Sequence, residues 1–384
     1  EIFRRRFDPA ATDRDTSKAE AAWTMLLDGI ENPDEDRILS RLRVALDAIS
    51  PALDALATRA EAFTAGGKRL RPAFCAWGWA AASGAVELPD RVLRAAASLD
   101  LLHVSALVHD DVMDASDTRR GVPAAHRQFE ADLRRTGGRG SAEAFGRAAA
   151  ILLGDALLCW SVELLEDAGL APDEAARARP YLHAVRTEVT AGQYLDVVAQ
   201  SVDPYGRTRT AAGLAELESL VRQVVTYKTA CYTIVRPLHV GAAIAGLSPQ
   251  QAADLEAFGR PLGRAFQYRD DLLGVFGDEE LTGKESGEDL REGKLTLLAV
   301  KTFAGASDAD ARAFAALFGA ADLDAELVAE ARRLIEASGA RGFVESEIER
   351  EYATALAALD AAPWLSAARP GLEALARVAV DRAF

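Results

Sequence analysis

The segment HDDVMDASDTRRG, His109 to Gly121, crowds three carboxylates, Asp110, Asp111 and Asp114, ahead of two guanidinium groups, Arg119 and Arg120. On a helix, Asp110 and Asp114 stand at i,i+4 and Asp111 and Asp114 at i,i+3. Like charges at those spacings repel by roughly a few tenths of a kcal/mol per pair. A helix that accepts this usually has a cation to offset it. The preceding residues, LDLLHVSALV, are mostly apolar, so the carboxylates close a buried helix. A second segment, FQYRDDLLGVFGD, sets Asp270 and Asp271 at the end of another apolar helix, with Asp278 further on. Two such clusters predict a shared divalent-metal site. Hard oxygen donors in an incomplete cage suit Mg²⁺, which keeps waters and completes its shell with phosphate oxygens.

Basic residues supply the complement. GGKRLRP, Gly66 to Pro72, offers Lys68, Arg69 and Arg71 behind a glycine pair. TYKTACY puts Lys228 and Thr229 inside an apolar helix, a costly place for an ammonium without a partner. Lys284 and Lys294 belong to a long charged loop between Gly277 and Lys294. Metal ions with several Lys and Arg suit a diphosphate, which Arg forks bidentately and Lys meets as a point charge.

The elements that must position these groups read as helices. Ala, Leu, Glu and Arg dominate, apolar residues recur at three- and four-residue spacing, and no alternating strand runs or hairpins are evident. The expected fold is all-α, with residues 1–35 as a partly loose N-terminal extension and 36–384 as one domain. AFGRAAAILLGDALLCWSVELLEDAGL reads as one long buried helix closing at Gly169. The chain has 384 residues, 49% of them hydrophobic, so a sizeable core is affordable. The net charge of −15 argues against non-specific nucleic-acid binding. Cys75, Cys159 and Cys231 all lie in apolar contexts and are expected as reduced, buried thiols. No signal peptide and no apolar run long enough to span a bilayer are recognised, so a cytoplasmic protein is expected. Trp77, Trp79 and Trp160 read as core, and His109 as a helix-end structural residue.

In order along the chain, GGKRLRP, LLHVSALVHDDVMDASDTRRG, TAGQYLD, YKTACY and FQYRDDLLGVFGD with TGK and DLREGK cover about residues 66–294. In this combination the chain resembles the trans-isoprenyl diphosphate synthases, or polyprenyl synthetases, and within them the bacterial geranylgeranyl type. The resemblance implies a single-domain helical bundle around a deep central cavity. It also implies a Mg²⁺-dependent prenyltransferase that joins isopentenyl diphosphate to an allylic diphosphate, head to tail. Asp110, Asp111, Asp114, Asp270 and Asp271 would hold several Mg²⁺ ions, with Gln193 and Asp196 in support. Arg119, Lys228, Lys284 and Lys294 would hold the allylic diphosphate. Lys68, Arg71, His103 and Arg120 would hold isopentenyl diphosphate, and Thr229 and Gln267 would stabilise the allylic cation. A homodimer is implied, and a long lipophilic product allows transient membrane association.

One position departs from the family. Many members carry a third aspartate where this chain has Gly274, and a water or Asp278 is the expected substitute. For product length, the growing tail is expected to run back along the helix from Asp110 past Ala106, Leu102, His103 and Leu99, with Ser105 flanking the first step. Ser105 and Ala106 are small, so the cavity should stay open to a floor at Leu102 or Leu99, a depth for geranylgeranyl diphosphate. Farnesyl diphosphate and products of twenty-five carbons or more are the rivals. On this reading Leu102→Ala lengthens the product and Ser105→Phe shortens it. The competing functions are a class I terpene cyclase, which needs no isopentenyl site, and a non-catalytic subunit of a heteromeric synthase, which usually loses the aspartates.

Overall fold

The computed structural model describes residues 33–85, 87–277, 287–320 and 322–380. Asp278 and Lys284 lie outside them. The fold is all-α, as the periodicity predicts. Its first helices are α1 (Pro33–Ile49), α2 (Asp54–Thr64), α3 (Leu70–Ser83) and α4 (Asp90–Met113). A turn then leads to α5 (Ala125–Thr136), α6 (Ala142–Glu166) and α7 (Pro172–Gln200). The short α8 (Pro204–Arg207) precedes a rod in three parts: α9 (Ala211–Val224), a π-helix (Val225–Val235) and α10 (Arg236–Ala245). The long α11 (Pro249–Phe276) follows, then α12 (Glu288–Arg291), α13 (Leu297–Gly305), α14 (Asp308–Leu317), α15 (Ala325–Ala337), α16 (Ala340–Asp360) and α17 (Arg369–Val380).

Local chemistry explains the boundaries. Ser248 and Gln251 form a capping box at the start of α11, with Pro249 in its first turn, where a missing N–H costs nothing. Ser141 caps α6 by accepting from the Ala144 N–H. Close packing depends on bare glycines. A Cβ on Gly241 of α10 would stand 1.7 Å from the Cys75 carbonyl oxygen, and one on Gly78 of α3 would stand 2.1 Å from that of Leu238. The two helices therefore cross backbone to backbone, and from Pro72 to Ala81 every residue of α3 is buried.

The π-helix is held the same way. A Cβ on Gly192 of α7 would lie 2.3 Å from the Lys228 backbone nitrogen, and one on Gly263 of α11 would lie 2.3 Å from the Ala230 Cα. A π-helix of 11 residues is unusual, since most are single-turn bulges found at functional sites.

Helix α4 divides the interior. Leu99 and Leu102 join the main core with α3, α10 and α11, and Ala106 packs against it. Leu101, Val104 and Val108 join a second cluster with Phe63, Phe129, Leu153 and Leu157. Ser105 belongs to the second face, because its hydroxyl donates to the Gly154 carbonyl of α6 at 2.7 Å.

The structure corrects four sequence expectations. A hairpin is present: Thr118–Arg119 (β1) pairs antiparallel with Val122–Pro123 (β2) through the two-residue turn Arg120-Gly121. Helix α6 forms as expected but is not buried all round, for Phe145, Ile151 and Leu152 are exposed. Cys159 on the same helix is also exposed, whereas Cys75 and Cys231 are buried. Finally, α4 and α6 are both long and apolar enough to cross a bilayer by length and composition. Helix α4 buries most of that stretch inside the bundle, whereas α6 buries only 33%.

Gly241→Ala forces a methyl into the Cys75 carbonyl, and the overpacking should cost about 2 kcal/mol. Gly342→Ala, on α16 with open space around it, should instead stabilise by about 0.5–1 kcal/mol through helix propensity. Urea unfolding midpoints of the two variants test the contrast, and equal midpoints would refute the backbone crossing.

Candidate active site

The first carboxylate cluster ends α4, with Asp114 as its C-cap. Each member has a different environment. The Asp110 carboxylate accepts from Lys228 Nζ at 3.0 Å and from Gln193 Nε2 at 2.8 Å. Burial alone would push its carboxyl up, but Lys228 and Arg119 reverse this and hold it below the usual range. Asp114 accepts from Gln200 Nε2 at 3.3 Å. Burial and the charge of Asp110 push its carboxyl up to about 6. Asp111 is fully buried, and Arg119 Nε donates to its Oδ1 at 2.7 Å. Asp111, expected among the metal ligands, is held here by the guanidinium. It sits one position round the helix from Asp110, and its charge is committed to the guanidinium.

The π-helix brings the partners. Lys228 Nζ bridges Asp110 and Asp196, the latter at 2.6 Å. The partner that a buried ammonium requires is therefore a pair of carboxylates from two helices. One position on, the Thr229 hydroxyl donates to Gln267 Oε1 at 2.6 Å, and Gln267 Nε2 donates to Asp271 Oδ1 at 2.8 Å. This chain of bonds ties the π-helix to the second cluster on α11. There Asp270 is exposed and Asp271 is buried. Burial pushes the Asp271 carboxyl up to about 7, opposed by Lys294 and reinforced by Asp289 and Asp270. Lys294 lowers both Asp110 and Asp271, so one ammonium stands between the two clusters. Both clusters thus face a common space.

Among the described residues, no three His, Cys, Asp or Glu side chains converge closely enough to hold a metal ion unaided. The donor set still suits a hard cation. Burial and neighbouring negative charge raise the Asp114 and Asp271 carboxyls, to about 6 and about 7. A divalent ion completed by phosphate oxygens and water would reverse both penalties.

A second basic pocket lies behind α4. His103 is held well below its usual value by burial, and then by Arg71, Arg120, Arg119 and Arg69 around it. Its Nδ1 shares a hydrogen bond with the Tyr232 hydroxyl at 3.3 Å. Arg71 stacks over the Tyr232 ring, 4.1 Å from its centroid, and donates to Thr233 Oγ1 at 2.7 Å. Arg120 lies against Gly66 and Gly67, where a Cβ on Gly67 would come within 2.8 Å of Nη2. Lys68 is exposed beside this loop. Arg69 turns inward to the buried Asp100 and to the Thr64 carbonyl at 2.6 Å, so it braces the loop. Among the described residues, three non-glycine residues have left-handed φ: Arg69 at 48°, Ala115 at 53° and Arg120 at 55°. All three border these pockets, and such conformations cost about 1–3 kcal/mol each.

Sequence reading missed Tyr232, Asp100 and Gln200. Tyr232 closes the motif TYKTACY, and Asp100 interrupts the apolar run SLDLL, so both left a signal. Gln200, at the end of α7, left none.

The residues 54–335 match the family model for polyprenyl synthetase. The chain is 32% identical over 306 residues to a short chain isoprenyl diphosphate synthase of Methanothermobacter thermautotrophicus, covering 80% of this chain and 83% of that one. It is 34% identical over 247 residues to a farnesyl diphosphate synthase of Geobacillus stearothermophilus, covering 64% and 74%. Among solved structures it is similar to a geranylgeranyl pyrophosphate synthase from Corynebacterium glutamicum complexed with isoprenyl diphosphate and magnesium. The TM-score there is 0.83 at 38% identity, covering 97% of this chain and 100% of that one. The chain belongs to the polyprenyl synthetase family and is an isoprenyl diphosphate synthase, a prenyltransferase.

Proposed function

We propose that the chain condenses isopentenyl diphosphate with an allylic diphosphate in the presence of Mg²⁺ and releases geranylgeranyl diphosphate. The observation that carries the chemistry is the pairing of Lys228 with the first carboxylate cluster and the action of Lys294 on both. Asp110, Asp114, Asp270 and Asp271 are the residues that would hold Mg²⁺. When bound, the ions would supply Lewis-acid charge to the departing diphosphate. Arg119, oriented by Asp111, and Lys228, oriented by Asp196, would take the remaining negative charge of the allylic diphosphate. Thr229 and Gln267 would offer oxygen dipoles to the cation left behind. Lys68, Arg71, His103 and Arg120 would hold isopentenyl diphosphate, with Tyr232 keeping Arg71 in place. The double bond of isopentenyl diphosphate attacks the cation, and the released diphosphate accepts the proton.

The product reading rests on one face of α4. Ala106, Leu102 and Leu99 share the main-core face, while Ser105 is bonded to α6. Ser105 would flank the first step of the tail path, its hydroxyl bonded to the Gly154 carbonyl of α6. Small Ala106 admits the tail, and Leu102 or Leu99 stops it. We also propose a homodimer through α6, supported by the apolar Phe145, Ile151 and Leu152 that the fold leaves exposed.

With Mg²⁺, isopentenyl diphosphate and a dimethylallyl, geranyl or farnesyl primer, the chain should give a ladder ending at the twenty-carbon alcohol after dephosphorylation. Ala106→Phe should shorten it, Leu102→Ala should lengthen it, and Ser105→Ala should leave it alone. Cyclic products, or a length indifferent to Ala106 and Leu102, would refute this reading.

The raised carboxyls set a pH dependence. Between the unfolded value near 4 and the folded values of about 6 and about 7 for Asp114 and Asp271, the folded chain keeps protons that the unfolded chain has lost. Metal-free stability from these groups is therefore lost as pH rises through that window. Asp271→Asn should flatten the fall, and Mg²⁺ with inorganic diphosphate should raise the Tm more at pH 7.5 than at pH 5.5. Equal Mg²⁺ effects at both pH values would remove the carboxylates from the metal site.

Sedimentation of the full chain should give about twice the 41.0 kDa of one copy, and Leu152→Asp should shift it toward one copy. A single-copy mass for the unsubstituted chain would refute the pairing.

A further inference from the structure

The second cluster lacks a carboxylate at Gly274, one helical turn beyond Asp270 and Asp271. The space beside Gly274 is nevertheless filled by a carboxylate. A Cβ on Gly274 would stand 2.2 Å from Asp289 Oδ2 and 2.5 Å from its Cγ. Asp289 comes from α12, on the far side of the charged loop, and only 5% of it is exposed. It cannot swing aside freely. The Lys294 N–H donates to its carbonyl at 3.0 Å, and the next residue, Leu290, accepts from the Gly319 N–H at 2.8 Å. Its Oδ1 lies 3.8 Å from Lys294 Nζ. Asp289 is also the largest influence raising Lys294, and it acts on Asp271 in the same direction.

We propose that Asp289 is a positioning residue that stands in for the third carboxylate of the second cluster, delivered from α12 into the space that Gly274 leaves open. Residues 274 and 289 are then a reciprocal pair. Glycine at 274 is required because the carboxylate comes from elsewhere, and the carboxylate at 289 restores the charge that the glycine omits. The same carboxylate fixes Lys294 between the two clusters. This inference rests on reading the site as a divalent-metal diphosphate site.

The test uses the full chain without prenyl substrates, with inorganic diphosphate as the probe and Mg²⁺ titrated. The readout is the Mg²⁺ concentration giving half of the rise in thermal midpoint. Asp289→Asn should raise it about tenfold, the scale of a lost partner around a metal's own ligands. Gly274→Asp alone should lower the metal-free midpoint, since two carboxylates would contend for one space. Gly274→Asp combined with Asp289→Gly moves the carboxylate back onto α11 and should recover most of the Mg²⁺ response. It carries the test even if the Asn variant folds poorly. A half-point unchanged in Asp289→Asn overturns the proposal. So does failure of the exchanged pair to recover what Asp289→Asn loses, which would leave Asp289 as a structural partner of Lys294 alone. No Mg²⁺ response in the unsubstituted chain would overturn the metal reading itself, an outcome distinct from both.

Discussion

Lys228 carries a full positive charge on a helix that is otherwise apolar, and Asp110 at 3.0 Å and Asp196 at 2.6 Å offset the cost of placing it there. A buried ion pair gains stability only if geometry and further hydrogen bonds compensate for lost hydration. Here the geometry involves three elements. Helix α4 must place Asp110 in its last turn, α7 must bring Asp196 and Gln193, and the rod must widen into a π-helix where Lys228 and Thr229 emerge. Gly192 and Gly263 let α7 and α11 touch that widened segment on two sides. If any one of these elements shifted, an unpaired charge would be left in the interior.

The same arrangement explains how a chain with a net charge of −15 can address an anionic substrate. The excess of carboxylates is distributed over the molecule, but inside the site Asp110, Asp111 and Asp196 are each set against an ammonium or guanidinium. Asp111 is committed to Arg119 and Asp196 to Lys228, so these cations are oriented without being neutralised from every side. Asp114 and Asp271 are left with raised carboxyls, which is an electrostatic preference for a cation. Local pairing, not bulk charge, decides what the cleft attracts.

Much of this was legible in the amino-acid sequence. Three carboxylates that follow ten mostly apolar residues on a helix repel one another unless a cation joins them, and an ammonium within VVTYKTACY must have a partner. Other features left no periodic trace. Two strands of two residues each are too short to alternate, so the hairpin that carries Arg119 and Arg120 was invisible. A π-helix uses the same residues as an α-helix, so nothing in VTYKTACYTIV announces the change in winding. The placement of Ser105 was readable too. At 100° per residue it lies roughly 140° round the helix from Asp110, whereas Ala106 lies roughly 40° away. Asp289 could not have been assigned from spacing, since its relation to Gly274 exists only across a gap between two helices.

The hairpin turn has a consequence for how the two basic pockets behave together. Arg119 reaches forward to Asp111 and Asp110, while Arg120, the next residue, reaches back to Gly66, Gly67 and the Phe63 carbonyl. The turn contains only Arg120 and Gly121, both at left-handed φ, so it has no slack in which one side chain could move alone. Neighbouring anion sites in most proteins can drift apart in affinity by separate substitutions. Here a single peptide link couples the two basic pockets, and a change that shifts one guanidinium is inherited by the other.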